Sequence, residues 1–193
     1  RIAVLGKIMG PLSMVQSLAG VERTMVAMIE EPGTVSAFLE TATDLLIRSG
    51  RALLDAGADA LAIGEGGAGG NMLSPAMHER FLLPVHRRLT AGVGGPTIMH
   101  ICGDITPRLE MLARTGFACF NFDWSIAPEA MLKAAGGRFT LMGNVSTTAL
   151  RTGTPAEVAA QVRACAEAGI PIISPGCAIS PECPNANLAA MAQ

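Results

Sequence analysis

An α/β fold built on a parallel sheet is what this sequence predicts, on three observations. Short apolar runs alternate with longer segments of helical spacing along the chain. Gly or Pro stands at the junctions between them. The apolar runs are near-continuous rather than alternating, the pattern of strands covered on both faces.

The first strand is read at residues 2–8 (IAVLGKI). A long helix follows at 33–57, with apolar residues recurring at three- and four-residue steps, and returns into a strand at 59–65 (DALAIGE). Ser74-Pro75 opens the next helix, 75–92, because Pro suits the first helical position, where no N–H is needed. Strand 96–102 (PTIMHIC), helix 107–115 and strand 118–124 (ACFNFDW) come next. Pro128 opens helix 128–135, strand 139–145 (FTLMGNV) follows, and Thr154-Pro155 and Gly169 bracket helix 155–168 before the last strand, 170–176 (IPIISPG).

The choice between an open sheet and a closed barrel rests on glycines. No G-x-G-x-x-G follows the first strand to open a helix, and GEGGAGG at 64–70 leads into a loop without a Walker lysine. That favours a TIM barrel, which takes about 250 residues and eight strands when complete. Six strands in 193 residues therefore predict a fragment of a (β/α)8 barrel, with residues 1–193 forming a single domain that lacks the N-terminal strands.

Half of the residues are hydrophobic, 16% are charged, aromatics make up 4% and the net charge is −2, so no basic stripe exists to bind a nucleic acid. No apolar run is long enough to span a bilayer, and RIAVLGKIMG lacks the features of a secretory signal, so a cytoplasmic location is expected. Five cysteines without a secretory context point away from a disulfide framework and towards metal, catalytic or core roles.

The stretch MHICGD (99–104) is the candidate site. Residues i and i+2 of a strand face the same way, so His100 and Cys102 project together at a carboxyl end, where parallel barrels keep their chemistry. Cys177 also stands just past a strand, in SPGCAISP, and three N/S donors with one open position make the catalytic zinc pattern. On spacing alone a strand that happens to carry both residue types is the better reading, and the strand-end position followed by Gly103-Asp104 brings the metal reading level with it. Cys119 and Cys165 are read as core thiols, and Cys183, between prolines, as a surface thiol or an alternative ligand. Glu65, Asp123 and Asn144 also stand at strand ends and are the candidates for catalytic roles. Glu65 is weighed as a fourth ligand or a partner of the ligands against a solvated loop acid. His78 and His86, among Arg80, Arg87 and Arg88, are read as a solvated helix face.

Taken together, MHICGD, FNFDW, MGNVSTTALRTGTPAEVAAQVRACAEAG and SPGCAISPECPNANLAAM, with GKIMGPLSMVQSLAGVE (6–22) and GADALAIGEGGAGGNMLSP (57–75), resemble the uroporphyrinogen decarboxylase superfamily. The resemblance is narrower to its zinc-dependent branch of methylcobamide:coenzyme M methyltransferases, in which a His-x-Cys and a distant Gly-Cys supply the zinc ligands, matching His100, Cys102 and Cys177. What the resemblance implies is methyl transfer from a corrinoid, carried by a partner corrinoid protein, to a thiol such as coenzyme M or another zinc-activated acceptor. No Asp-x-His-x-x-Gly signature of a cobalamin-carrying domain occurs in the chain. The alternatives are a tetrapyrrole decarboxylase of the uroporphyrinogen type, which needs no metal, and a non-catalytic barrel that binds a corrinoid protein.

Overall fold

The computed structural model describes residues 2–192. Six strands form one all-parallel sheet in chain order: β1 (Leu5–Met9), β2 (Ala60–Gly64), β3 (Thr97–His100), β4 (Cys119–Asn121), β5 (Thr140–Val145) and β6 (Ile172–Pro175). Because each strand joins its neighbour on the same side and in the same direction, the right-handed crossovers put every connecting helix on one face. That is the arrangement of a barrel wall and excludes the doubly wound order, in which strands are added in both directions from the middle.

The connections are α1 (Pro11–Ala19), α2 (Val21–Glu30) and α3 (Pro32–Asp55) after β1, then α4 (Pro75–Met77), a π-helical turn (His78–Leu82) and α5 (Leu83–Val93) after β2. α6 (Leu109–Ala113) and α7 (Pro128–Ala135) follow β3 and β4, α8 (Thr147–Thr152) and α9 (Pro155–Ala168) follow β5, and α10 (Asn185–Ala190) follows β6. α9 starts where the sequence places it: the Thr154 hydroxyl accepts from the Glu157 amide at 3.3 Å, and the Glu157 carboxylate accepts from the Thr154 amide at 2.6 Å. Most strands are shorter than predicted: β1 begins at Leu5 rather than Ile2, and β4 ends at Asn121 rather than Trp124. The helices of residues 11–30 are additional to those predicted.

Alternation along the strands creates the two faces. Ile8, Leu61, Ile63, Met99, Phe120 and Leu141 point to the helix side and join Leu12, Leu39, Leu82 and Leu89 in the main core. Leu5, Lys7, Ala62, Ile98, His100, Asn121, Met142 and Ser174 face the other way and line a cavity. No helix is long and apolar enough to cross a membrane among the described residues.

Two readings of single residues are corrected. His78 and His86 are not on a solvated face: both are 0% exposed, on the same stripe as Phe81, Leu82, Val85 and Leu89, while Arg80, Arg87 and Arg88 occupy the opposite face. Pro84 has no N–H to return to the preceding turn, which is widened to a π-helical one there. Cys183 is neither a surface thiol nor a ligand: it is buried, and its sulfur donates to the Leu150 carbonyl at 2.9 Å.

Candidate metal centre

Two strand ends build the site. His100 closes β3, Cys102 lies two residues beyond it, and Cys177 lies two residues beyond the end of β6. Their donor atoms all fall within 4.8 Å of one another. His100 Nε2 is 3.2 Å from Cys102 Sγ, which is 3.6 Å from Cys177 Sγ. All three side chains are partly buried, and all three line a cavity of about 830 Å³.

The backbone around them is tightly fixed. The Glu65 amide donates to the His100 carbonyl at 2.8 Å and the Gly70 amide to the Cys102 carbonyl at 2.9 Å, so the glycine-rich loop after β2 is bonded to the ligand-bearing segment. A Cβ on Gly70 would stand 2.4 Å from the Asp104 carbonyl oxygen, which is why this loop passes there as glycine. Gly176, immediately before Cys177, donates to the Val145 carbonyl at 2.8 Å, and a Cβ on it would stand 2.6 Å from the Trp124 amide nitrogen.

The imidazole of His100 is oriented from behind. Its Nδ1 lies 3.1 Å from the Asn121 carbonyl oxygen, which only accepts, so Nδ1 carries the proton and Nε2 turns its lone pair to the sulfurs. Burial lowers the His100 pKa, which favours the neutral ligand form. The Cys102 thiol is pushed up to about 12 by burial and by its hydrogen bond to Cys177. Two sulfurs this close cannot both ionise unless a cation joins them. The donor set, one imidazole nitrogen and two sulfurs facing a cavity, suits a thiophilic divalent ion such as zinc, with a coordination position left for a small molecule.

Glu65, Asp123 and Asn144 do not join this group of donors or line the cavity. Glu65 is 0% exposed; its Oε1 accepts from the Ser13 amide at 2.7 Å and hydroxyl at 2.8 Å, and its Oε2 accepts from the Leu12 amide at 3.3 Å and lies 3.0 Å from His86 Nε2. It anchors the first turn of α1. Asp123 Oδ2 accepts from the Gly103 amide at 2.8 Å and Oδ1 from the Ser125 amide at 2.8 Å. Burial pushes its pKa up, but these amide bonds outweigh that and the net direction is down, which keeps the carboxylate charged. It thus fixes the turn that follows Cys102. Asn144 Nδ2 donates to the carbonyls of Asp123 at 3.1 Å and Ile126 at 2.6 Å and so braces the same loop from β5.

Sequence reasoning passed over two cavity residues. Asn121 not only receives the His100 proton through its carbonyl but donates from its side chain to Ser174 Oγ at 2.9 Å and the Pro175 carbonyl at 3.1 Å, tying β4 to the strand that leads to Cys177. Lys7 reaches the cavity from β1. In both cases the signal was a single polar residue inside an apolar strand.

Comparison with known proteins gives the family and the fold. The family profile described as uroporphyrinogen decarboxylase (URO-D) matches residues 1–193. The methylcobamide:CoM methyltransferase MtaA of Methanosarcina barkeri (strain Fusaro / DSM 804) is 29% identical over 192 residues, covering 98% of this chain and 57% of the relative. A uroporphyrinogen decarboxylase of Syntrophotalea carbinolica is 30% identical over 168 residues, covering 84% of this chain and 48% of the relative. The solved structure of a methyltransferase from Methanosarcina mazei superposes with a TM-score of 0.95 at 28% identity, covering 99% of this chain and 57% of that one. The chain therefore spans about half the length of these relatives.

Proposed function

Because the chain belongs to the uroporphyrinogen decarboxylase family, we propose that it forms part of a zinc-dependent methyltransferase that moves a methyl group from a methylated corrinoid, held by a partner protein, to a small thiol such as coenzyme M. The observation that carries this reading is the convergence of His100 Nε2, Cys102 Sγ and Cys177 Sγ on one cavity. It is supported by the likeness to relatives named as methylcobamide:CoM methyltransferases. The same reading takes residues 1–193 as one domain, a part of a TIM barrel.

In this proposal His100, Cys102 and Cys177 are the metal ligands. Zinc held there lowers the pKa of a thiol that takes the remaining position, so that the acceptor is present as its thiolate near neutral pH. The rest falls to the chain. Asn121 holds the His100 imidazole in one tautomer, so Nε2 needs no reorientation. Asp123, through Gly103, and Asn144, through the Asp123 and Ile126 carbonyls, keep the Cys102 turn in place. The walls of the cavity are largely apolar, so few protein groups compete for the acceptor sulfur. In such a transfer the acceptor sulfur would gain the methyl carbon and become a thioether, while the donor corrinoid would keep the bonding pair of the broken carbon–metal bond.

Elemental analysis of the full-length protein, together with methylcobalamin demethylation in the presence of a thiol, tests this. Stoichiometric zinc and a zinc-dependent thioether product are expected. A zinc-free protein that instead decarboxylates uroporphyrinogen overturns the reading.

A further inference from the structure

Lys7 is the only Lys or Arg among the described residues that line the cavity. On β1 the alternation sends Gly6 and Ile8 to the helix side and Leu5, Lys7 and Met9 to the cavity side. No Asp or Glu lines the cavity, and no salt bridge of Lys7 is found among the described residues. Lys7 is itself exposed, and the other described walls are apolar or neutral, so no neighbouring side chain there cancels its charge.

Its position relative to the metal centre follows from the ladder. Lys7 pairs with Ala62, and Ala62 with Ile98; one pleat further along, Met9 pairs with Gly64, and Gly64 with His100. Lys7 and His100 are thus two strands and one pleat apart, roughly 12 Å between Cα atoms for strands ~4.8 Å apart with a rise of ~3.3 Å per residue. A lysine side chain covers much of that distance, and the strand between them presents only Ala62 and Gly64. Between them lies room for a molecule a few bonds long.

We infer that Lys7 is a specificity-determining residue that binds an anionic group, a sulfonate or a carboxylate, at the far end of the acceptor thiol. This rests on the proposed function, because it takes the sulfur of that acceptor to occupy the centre formed by His100, Cys102 and Cys177. An ammonium is suited to this role as a point charge on a flexible stem, which accepts a tetrahedral or a planar anion without a fixed fork geometry. No carboxylate among the described cavity residues competes for this charge.

The test compares 2-mercaptoethanesulfonate and 3-mercaptopropionate with the neutral 2-mercaptoethanol. Each is titrated calorimetrically into the zinc-loaded full-length wild type and its Lys7→Gln, Lys7→Arg and Lys7→Glu variants, and each is assayed as an acceptor from methylcobalamin. The wild type is expected to favour the anionic thiols over the neutral one. Lys7→Gln is expected to reduce that preference at least tenfold in affinity and in KM, with Lys7→Arg restoring most of it and Lys7→Glu inverting it. Equal discrimination in wild type and Lys7→Gln overturns the inference, as does a wild type without any preference. Preferential binding of the anionic thiols that depends on Lys7, in a wild type that transfers no methyl group to any of them, leaves the inference standing and overturns the methyltransferase reading instead.

Discussion

Cys102 Sγ and Cys177 Sγ lie 3.6 Å apart, although 75 residues separate them in the chain. Nothing local brings them together. The distance results from β3 and β6 ending on the same rim of one parallel sheet, which lets two loops deliver a thiol each to the same point. Cys177 sits partly exposed in its loop, so its side chain contributes little to the core.

Replacing Cys177 with Ala should therefore abolish zinc retention and methyl transfer while leaving the melting temperature of the metal-free protein nearly unchanged. Cys165→Ala should do the opposite. Its sulfur is buried, accepting from the Asn144 amide at 3.4 Å and lying 3.5 Å from Asn144 Oδ1, so its loss should cost about 1–2 kcal/mol and spare the metal. Metal content and urea unfolding of the two variants separate the roles; a Cys177→Ala protein that keeps stoichiometric zinc defeats the ligand assignment.

Glu65→Gln distinguishes an anchor from a ligand. The carboxylate satisfies two amides, one hydroxyl and the His86 ring in a fully buried position, so removing its charge should destabilise the protein by roughly 1–3 kcal/mol. Zinc stoichiometry should be unchanged. Loss of zinc from a variant that unfolds at the wild-type urea concentration would place Glu65 at the metal instead.

Much of this was readable from the residues, for definite reasons. Apolar runs of strand length separated by helical spacing force parallel pairing, and Pro128 and Pro155 mark helix starts that the structure reproduces at α7 and α9. His100 and Cys102 could be put together because a strand has a two-residue period. Glu65, His78, His86 and Cys183 were harder, since a polar residue is buried or exposed according to partners distant in sequence. Glu65 is matched by Ser13 and His86, and Cys183 by Leu150, none of which is near it in the chain. For the two histidines a signal did exist. They share the spacing of Phe81, Val85 and Leu89, and the arginines between them fall on the other side of the helix.

Acid should unfold this protein partly through His78. Burial, with the nearby His86 and Arg108, lowers its pKa to about 3, and its ring centroid is 5.7 Å from that of His86. In the unfolded chain the group titrates near its ordinary value of 6.5. The folded pKa is the lower one, so the unfolded state binds the proton first. The native state is therefore undiminished above pH 6.5 and loses stability as the pH falls from there towards 3. At about 1.4 kcal/mol per pH unit, roughly 2 kcal/mol should be lost between pH 7 and pH 5 from this residue. Urea unfolding of the metal-free protein at both pH values should show a fall that is smaller by that amount in His78→Gln; equal falls in both proteins exclude His78 as the acid-sensitive group.

Gly176→Ala probes the loop that delivers Cys177. The backbone of Gly176 is bonded to the Val145 carbonyl and passes so close to Trp124 that an added Cβ would meet the Trp124 amide nitrogen at 2.6 Å, Cβ at 2.9 Å and Cα at 3.0 Å. Two of these atoms are backbone, so no rotamer change relieves the contact, and either the loop after β4 or the Cys177 loop must move. Asp123 and Asn144 brace the first of these, through the Gly103 and Ser125 amides and the Ile126 carbonyl, so the Cys177 loop is the one expected to give way. Displacement by a few tenths of an ångström or more pulls one sulfur from a donor set whose atoms now lie within 4.8 Å. Zinc affinity, measured by competition with a chelator, should fall by at least tenfold, and methyl transfer with it. The fold should survive, because the residue stands in the loop just past β6 rather than within a strand or helix. Wild-type zinc affinity in Gly176→Ala would mean that the Cys177 loop is not held by the contact with Trp124.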